Sequence, residues 1–113
     1  MKHIIIDGEG KDSATNFIAS AATKNGDLLI AYIPPAHNGN FKVDLSVVEG
    51  KITAQWMDPS TGEKKKIKNF TNGEFITPGK NSSGYSDWVL IITSKSNLFY
   101  SHTFYRISKC RFN

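Results

Sequence analysis

The sequence has a single cysteine among its 113 residues, Cys110, which lies between two basic residues near the C-terminus. One thiol excludes an internal disulfide framework and a zinc site built on several cysteines. Neighbouring cations can lower a thiol pKa and so activate it. Nothing else around Cys110 marks a reactive site, and we interpret it as incidental.

Long apolar runs are also missing. No stretch approaches the ~18 apolar residues of a transmembrane helix, so we predict no membrane partner. The apolar run within Met1–Asp7 is too short for a signal peptide. The chain is therefore expected to be cytoplasmic, or a piece of a longer protein whose export signal lies elsewhere.

Residues that could carry catalysis or hold a metal are scattered. The three histidines lie far apart, without a serine or cysteine motif beside them: His3, His37 and His102. The prominent carboxylates fall at turns or strand starts: Asp58, Glu63, Glu74 and Asp87. Glycosidase chemistry needs two carboxyls facing each other across ~5–10 Å of a cleft. We therefore predict no catalytic residue, no metal site and no cofactor.

The charge balance is mildly basic, with a formal net charge of +4. The segment Lys64–Lys68 holds four of the lysines. Lysines on an exposed strand keep a sheet edge from pairing with other chains, and this interpretation is the favoured one. The alternative is a basic surface that attracts phosphates or acidic polysaccharides. We predict no nucleic-acid partner.

The residues that are plentiful favour strands. Valine, isoleucine and threonine are common, and aromatic residues make up 12% of the chain. Turn signals recur roughly every 8–12 residues, and no segment keeps a 3.6-residue period. The pattern predicts an all-β fold, an antiparallel sandwich or barrel of about 7–9 short strands. Residues 1–93 form this domain, and residues 94–113 form an extra strand around Leu98–Ile107 or a loosely held tail.

A β-hairpin over Ile52–Lys68 is the clearest element. Its first arm alternates, with Trp56 as the heavy apolar member and a basic arm returning. Asp58 and Pro59 suit the first two positions of a type I turn, and Gly62 can take the left-handed conformation that starts the returning strand.

Other segments complete the predicted sandwich. Leu28–Ile33 is the most apolar strand and is placed centrally, after a type I′ turn at Asn25-Gly26. Phe41, Val43 and Leu45 alternate and are expected to point inward. Asp87–Thr93 is a further buried-type strand. Trp56 and Trp88 are predicted to meet in the core, and the residues expected around them are Ile30, Tyr32 and Val43.

Five segments carry a resemblance to a known family and occur in this order: Leu29–Pro34, Val43–Leu45, Trp56–Gly62, Phe75–Gly79 and Asp87–Leu90. Their order and spacing are similar to those of the putative collagen-binding β-sandwich domain at the C-terminus of apiosidase-like glycoside hydrolases. The resemblance runs from about Ala19 to Thr93.

The resemblance implies a function as well as a fold. The fold that it implies is an antiparallel β-sandwich, immunoglobulin-like or like the C-terminal domains of glycosidases. In that family the catalytic carboxylates lie on a (β/α)₈ barrel, which precedes this domain and is its partner. The domain is then a non-catalytic accessory of a secreted bacterial protein, extracellular or periplasmic, that buttresses the barrel and contacts polysaccharide. The alternative is an adhesive module for collagen or another matrix polymer. A docking domain should expose a contiguous apolar patch of roughly several hundred Å², whereas a free-standing binder should show a polar groove rimmed by aromatic residues.

Two sets of residues follow from these hypotheses. Exposed aromatic rings can stack on sugar rings, and lysines can meet an acidic or extended polymer, so the ligand-binding candidates are Tyr85, Phe70, Lys64 and Lys66. The residues predicted to be structural are Tyr32, Trp56, Asp58, Pro59, Gly62 and Trp88.

Overall fold

The structure is a computed structural model that describes residues 4–11, 14–48, 50–94 and 106–108. Within these residues the strands are β1 (Ile5–Asp7), β2 (Ala19–Ala22), β3 (Leu28–Ile33), β4 (Asn40–Val43), β5 (Ile52–Met57), β6 (Lys64–Ile67), β7 (Glu74–Ile76), β8 (Trp88–Ser94) and β9 (Arg106–Ser108). Two short 3₁₀ turns lie at Leu45–Val47 and Thr71–Gly73. The predicted all-β sandwich is confirmed.

The strands form two antiparallel sheets. The smaller sheet has the order β1-β4-β7, and the larger sheet has the order β6-β5-β8-β3-β2-β9. In the larger sheet β8 separates the β5–β6 hairpin from the β2–β3 hairpin. The central placement predicted for Leu28–Ile33 is confirmed, because β3 lies between β8 and β2.

The core lies between the sheets and is dominated by aromatic rings. Phe41 and Phe75 of the smaller sheet contact Trp56 of the larger sheet at centroid distances of 6.2 and 6.1 Å. Trp56 also meets Trp88 at 6.4 Å, as the sequence predicts. The fully buried aliphatic side chains that complete this core are Ile18, Leu29, Ile33, Val43, Leu90 and Ile92.

Two residues expected in the core face outward instead. In β3 the buried positions are Leu29, Ala31 and Ile33. Because side chains alternate along a strand, Ile30 and Tyr32 lie on the opposite face of the sheet, and Tyr32 is 37% exposed. The expectation that these two residues surround the tryptophans is therefore wrong.

The two Asn-Gly pairs adopt different turns. Among the described residues, Asn72 is the one non-glycine residue with positive φ, at 63°, and Gly73 follows at 77°, the geometry of a type I′ turn. At Asn25-Gly26 only the glycine has positive φ. There the Thr23 hydroxyl accepts hydrogen bonds from the amides of Asp27 and Leu28 and closes a longer loop. The type I′ prediction for Asn25-Gly26 is wrong for this reason.

The C-terminal prediction is described only in part. Arg106–Ser108 is a strand that pairs with β2. Residues 95–105 and 109–113, on which the rest of the predicted strand or tail falls, lie outside the described residues.

Candidate functional site

The turn of the β5–β6 hairpin is closed by Asp58. Its backbone carbonyl accepts hydrogen bonds from the amides of Thr61 and Gly62, and its own amide donates to the carbonyl of Glu63. Gly62 has a φ of +82°, as the turn prediction requires. This turn delivers the basic strand β6 to the edge of the larger sheet, as the edge-protection interpretation expects.

The Asp58 side chain joins this turn to a second loop. One carboxylate oxygen accepts hydrogen bonds from the amide and hydroxyl of Ser60, at 2.9 and 2.6 Å. The other accepts the amide of Ser82 at 2.9 Å, across 24 positions of sequence. The residue is only 5% exposed. Asp58 therefore fixes the hairpin tip against the polar loop 79–86.

These hydrogen bonds favour the ionised carboxylate. The Ser60 hydroxyl holds the pKa of the Asp58 carboxyl well below its usual range; desolvation acts in the opposite direction, and the amides of Ser82 and Ser60 add to the lowering. Such a carboxyl stabilises the fold above the ordinary aspartate pKa of about 4, and this contribution disappears as the pH falls below that value.

We therefore expect the unfolding of an Asp58→Asn variant to depend less on pH than that of the wild type. Asparagine keeps an acceptor oxygen toward Ser60 but does not titrate. Urea midpoints measured from about pH 5 to about pH 2 should fall more steeply for the wild type. Equal slopes for the two proteins would contradict the assignment of a depressed pKa to Asp58.

The loop 79–86 has its own network. The Asn81 side-chain amide donates to the backbone carbonyl and the carboxylate of Asp87, at 2.9 and 2.7 Å. The Tyr32 hydroxyl donates to the other oxygen of that carboxylate at 2.8 Å. Burial raises the pKa of Tyr32 to about 12, with the hydrogen bond and the charge of Asp87 contributing. The indole N–H of Trp88 donates to the carbonyl of Gly79 at 2.7 Å.

A cleft of about 270 Å³ lies between the hairpin tip and this loop. It is lined by Asp58, Glu63, Lys65, Lys80, Asn81, Ser82 and Trp88. The ammonium nitrogen of Lys65 lies 5.7 Å from the centroid of the Trp88 ring, a cation–π contact. Of the two carboxylates that line the cleft, Asp58 is already committed to Ser60 and Ser82. The cleft can therefore hold a polar ligand, but it lacks two free carboxylates for acid–base chemistry.

The structure separates the four predicted ligand-binding residues. Tyr85 is 65% exposed on the loop 79–86. Phe70 instead packs against the core and stacks on Phe75 at 5.9 Å, which corrects its interpretation as an exposed aromatic platform. Lys64 and Lys66 are exposed on β6, where they pair in register with Met57 and Gln55. They share the outward face of the sheet with those residues, while Lys65 occupies the opposite face and reaches the cleft.

Sequence reasoning missed the cleft residues Lys65, Lys80 and Asn81. Alternation along β6 was a usable signal for Lys65, since a residue paired with the inward-facing Trp56 must share its side of the sheet. Lys80 and Asn81 carry no such signal, because their loop is positioned by Asp58 and Asp87.

The outward face of the larger sheet is the second candidate surface. Strands β2, β3, β5 and β8 place no charged residue on it. Their outward residues are Ala19, Ala21, Leu28, Ile30, Tyr32, Thr53, Gln55, Met57, Val89, Ile91 and Thr93. Each of these residues is partly exposed. Eight of the eleven residues are apolar or aromatic, and the polar ones are Thr53, Gln55 and Thr93, so these four strands present a mostly apolar face without charge.

The residues that the structure describes offer neither clustered metal ligands nor a membrane-spanning helix. They contain no group of three or more His, Cys, Asp or Glu side chains placed to hold a metal ion. The described histidine, His37, accepts the amide of Gly39 at 2.8 Å and contacts the carbonyl of Gly8. No helix in the described ranges has the length and apolar character needed to cross a bilayer.

Two solved structures similar to the chain are described as glycoside hydrolases. One, described as "Glycoside hydrolase", aligns with a TM-score of 0.62 at 28% identity, covering 86% of this chain and 21% of that one. Another, a glycoside hydrolase family 5 protein from Bacteroides vulgatus ATCC 8482, aligns with a TM-score of 0.62 at 24% identity, covering 87% of this chain and 20% of that one. The chain thus spans about a fifth of the length of these proteins. No curated protein sequence matches it.

The family comparison covers most of the chain. Residues 2–93 match the model of a single family, and these residues include both sheets except β9 and the last residue of β8. The chain belongs to the family described as "Putative collagen-binding domain of a collagenase".

Proposed function

We propose that this chain is a non-catalytic accessory domain of a glycoside-hydrolase-like protein, where it buttresses the catalytic domain and contacts polysaccharide. The observation that carries the proposal is the comparison with solved structures: 86% of the chain aligns with about a fifth of a glycoside hydrolase. A domain of that relative size accounts for about a fifth of such a protein, and the remainder is long enough for a catalytic domain. The family resemblance implies that this catalytic domain is a (β/α)₈ barrel.

The cleft supports the non-catalytic part of the proposal. Hydrolysis of a glycosidic bond uses two carboxyl groups, one of which is protonated when it acts as the acid. Asp58 has a depressed pKa and is held by Ser60 and Ser82, so it is a poor proton donor. Glu63 is the remaining carboxylate in the lining.

Contact with polysaccharide is proposed at Tyr85. Its ring is 65% exposed and lies on the loop that supplies Lys80, Asn81 and Ser82 to the cleft. A flat aromatic ring can cover the apolar face of a sugar, while the polar groups of the cleft bind its hydroxyls. The parent protein is proposed to be bacterial, as the family resemblance implies, and exported, since polysaccharide substrates lie outside the cell.

We expect affinity electrophoresis of the 113-residue chain through gels containing soluble polysaccharides to show retardation by at least one of them. Tyr85→Ala should weaken that binding by about 3- to 10-fold, the loss of one aromatic contact. Ile76→Ala is the matched control, because Ile76 is 71% exposed on the other sheet. Release of reducing sugar by the wild-type chain alone would contradict the non-catalytic assignment.

The second candidate is an adhesive module for collagen, which the family description itself favours. The sequence pointed to Lys64 and Lys66 for this role. In the structure, Lys80 lies on the loop 79–86 that carries Tyr85, and Lys65 lines the cleft beside that loop. Saturable pull-down by triple-helical collagen that is lost in both Lys65→Glu and Lys80→Glu would establish this candidate in place of the accessory role. Absence of collagen binding together with polysaccharide retardation would eliminate it.

A further inference from the structure

We infer that the outward face of the six-stranded sheet is the surface on which the catalytic domain packs, and that this partner offers a flat apolar patch bordered by carboxylates. The inference rests on the proposed function, and it adds the surface and the chemistry of the partner. Its evidence is the residue pattern of the larger sheet, its dimensions and the charges along its rim.

The residue pattern is that of strands covered on both sides. The register aligns Tyr32 with Val89 and Val89 with Met57, and it aligns Ile30 with Ile91. A sheet face in water normally carries polar residues that alternate with the buried ones. Strands β3 and β8 instead read as Leu-Leu-Ile-Ala-Tyr-Ile and Trp-Val-Leu-Ile-Ile-Thr-Ser. In each strand the inward-facing residues fill the core, whereas the outward-facing residues are partly exposed.

The smaller sheet shows the contrasting pattern. Its outward cross-strand row is Asp7, Lys42 and Glu74, in which a base lies between two acids. Opposite charges on neighbouring strands are compatible with water. On the outward side of the larger sheet, strands β2, β3, β5 and β8 carry no charged residue, and the charges lie around them, on Lys64 and Lys66 of β6 and on Asp87 beside Tyr32. The choice between the two outer surfaces of the sandwich follows from this difference.

The dimensions of the face suit a contact between domains. Four strands spaced ~4.8 Å apart and about five residues long cover roughly 300 Å². The area buried on the two partners together would be about 600 Å², which is at the lower end of the range for interfaces between domains of one chain. A face of this size is comparable to the largest apolar patch of a typical monomer, about 300–600 Å², which is often functional.

The charges at the rim define the partner. Lys64 and Lys66 lie on the outward side of β6, next to Met57 and Gln55. Towards the opposite edge, β2, which lies next to the edge strand β9, contributes Ala19 and Ala21. A second copy of this chain packed face to face would offer these lysines the carboxylate of Asp87, whose two oxygens already accept hydrogen bonds from Tyr32 and Asn81. The roughly 600 Å² of such a contact would also fall below the ~1,200 Å² of a stable dimer. A different surface that carries acidic residues opposite β6 satisfies both features, which is why the catalytic domain is the occupant we infer.

The test is hydroxyl-radical footprinting of the 113-residue chain and of the longer polypeptide that joins it to its catalytic domain. Met57 and Tyr32 on the face should be labelled severalfold more slowly in the longer polypeptide, and Tyr85 should be labelled equally in both.

Three other outcomes would contradict part of this inference. Protection of the smaller sheet instead, in a polypeptide that hydrolyses a glycoside, would overturn the assignment of the face and leave the accessory role standing. A longer polypeptide without glycosidase activity would overturn the proposed function. Protection of Met57 that rises with concentration in the 113-residue chain alone would identify a second copy as the occupant and overturn the inference.

Substitutions can distinguish loss of the interface between the domains from loss of folding. Ile91→Lys should restore Met57 labelling in the longer polypeptide, while Ile76→Lys, the same change on the other sheet, should leave the protection unchanged. Lys64→Glu combined with Lys66→Glu alters only exposed side chains, so it tests the charged rim even if Ile91→Lys fails to fold. Retained protection in the double lysine variant would overturn the acidic chemistry assigned to the partner.

Discussion

Replacing Trp56 by alanine should lower the free energy of unfolding by about 3–5 kcal/mol, the usual cost of removing a buried aromatic side chain. Trp56 is 6% exposed and contacts Phe41, Phe75 and Trp88. It is the ring through which the two sheets meet, so its removal leaves a cavity bounded by both. A domain of this size is typically stable by only ~5–15 kcal/mol, so the loss would be a large fraction of the total.

The measurement is urea-induced unfolding followed by far-ultraviolet circular dichroism. Tyr85→Ala is the control for loss of an aromatic ring, because Tyr85 is 65% exposed and surface substitutions usually change stability by less than about 0.5 kcal/mol. A Trp56→Ala variant as stable as Tyr85→Ala would mean that the sheets do not pack through Trp56.

Replacing Gly73 by alanine should be nearly as costly, for a different reason. Gly73 has a φ of +77°, and a Cβ atom at this position would lie 2.2 Å from the backbone carbonyl oxygen of Val43. The left-handed backbone costs about 1–2 kcal/mol for a residue with a side chain, and a forced steric overlap typically costs about 1–3 kcal/mol more. We therefore expect a total loss of about 2–5 kcal/mol in the free energy of unfolding.

Gly62 supplies the matched control for this prediction. It has a φ of +82°, but a Cβ atom there would meet nothing within 4 Å. Gly62→Ala should therefore show the backbone cost alone, about 1–2 kcal/mol. The difference between the two variants in urea unfolding measures the close approach of Gly73 to β4. Equal losses would show that this approach does not exist in solution.

The hairpin and the core could be predicted because their signals are local. Asp58, Pro59 and Gly62 encode the turn through their own backbone preferences, and alternation along β5 places Trp56 inward. The family resemblance followed from the order of such segments, and residues 2–93 match the family model. In these regions, neighbours in the sequence already determine the conformation.

The failed predictions concern choices that local preference leaves open. Asn25 and Asn72 both precede glycine, but Thr23 closes the first turn through its hydroxyl and changes the outcome there. Tyr32 lies in a strand that is apolar on both faces, so hydrophobicity alone could not say which face met the core. Phe70 looked exposed in a polar stretch, but it stacks on Phe75, which follows it after a turn.

The candidate surfaces were even less accessible to sequence reasoning. The cleft combines the hairpin tip with a loop 24 positions away through a single carboxylate. The apolar outward face combines residues of four strands whose order in the sheet differs from their order in the chain. Neither surface exists until the strands are paired, although each contributing strand was recognisable.

By itself, the sequence determined an all-β domain, the β5–β6 turn, the tryptophan pair in the core and the family, because period-two alternation and turn chemistry act over a few residues. The tertiary structure alone decided that Tyr32 faces outward, that Phe70 is packed and that Lys65 and Lys80 share a cleft. It also decided that the outward residues of β2, β3, β5 and β8 form one face without charge. The physical reason is that these properties depend on strand order and register, which bring together side chains that are remote in the chain and leave no signal in any one segment.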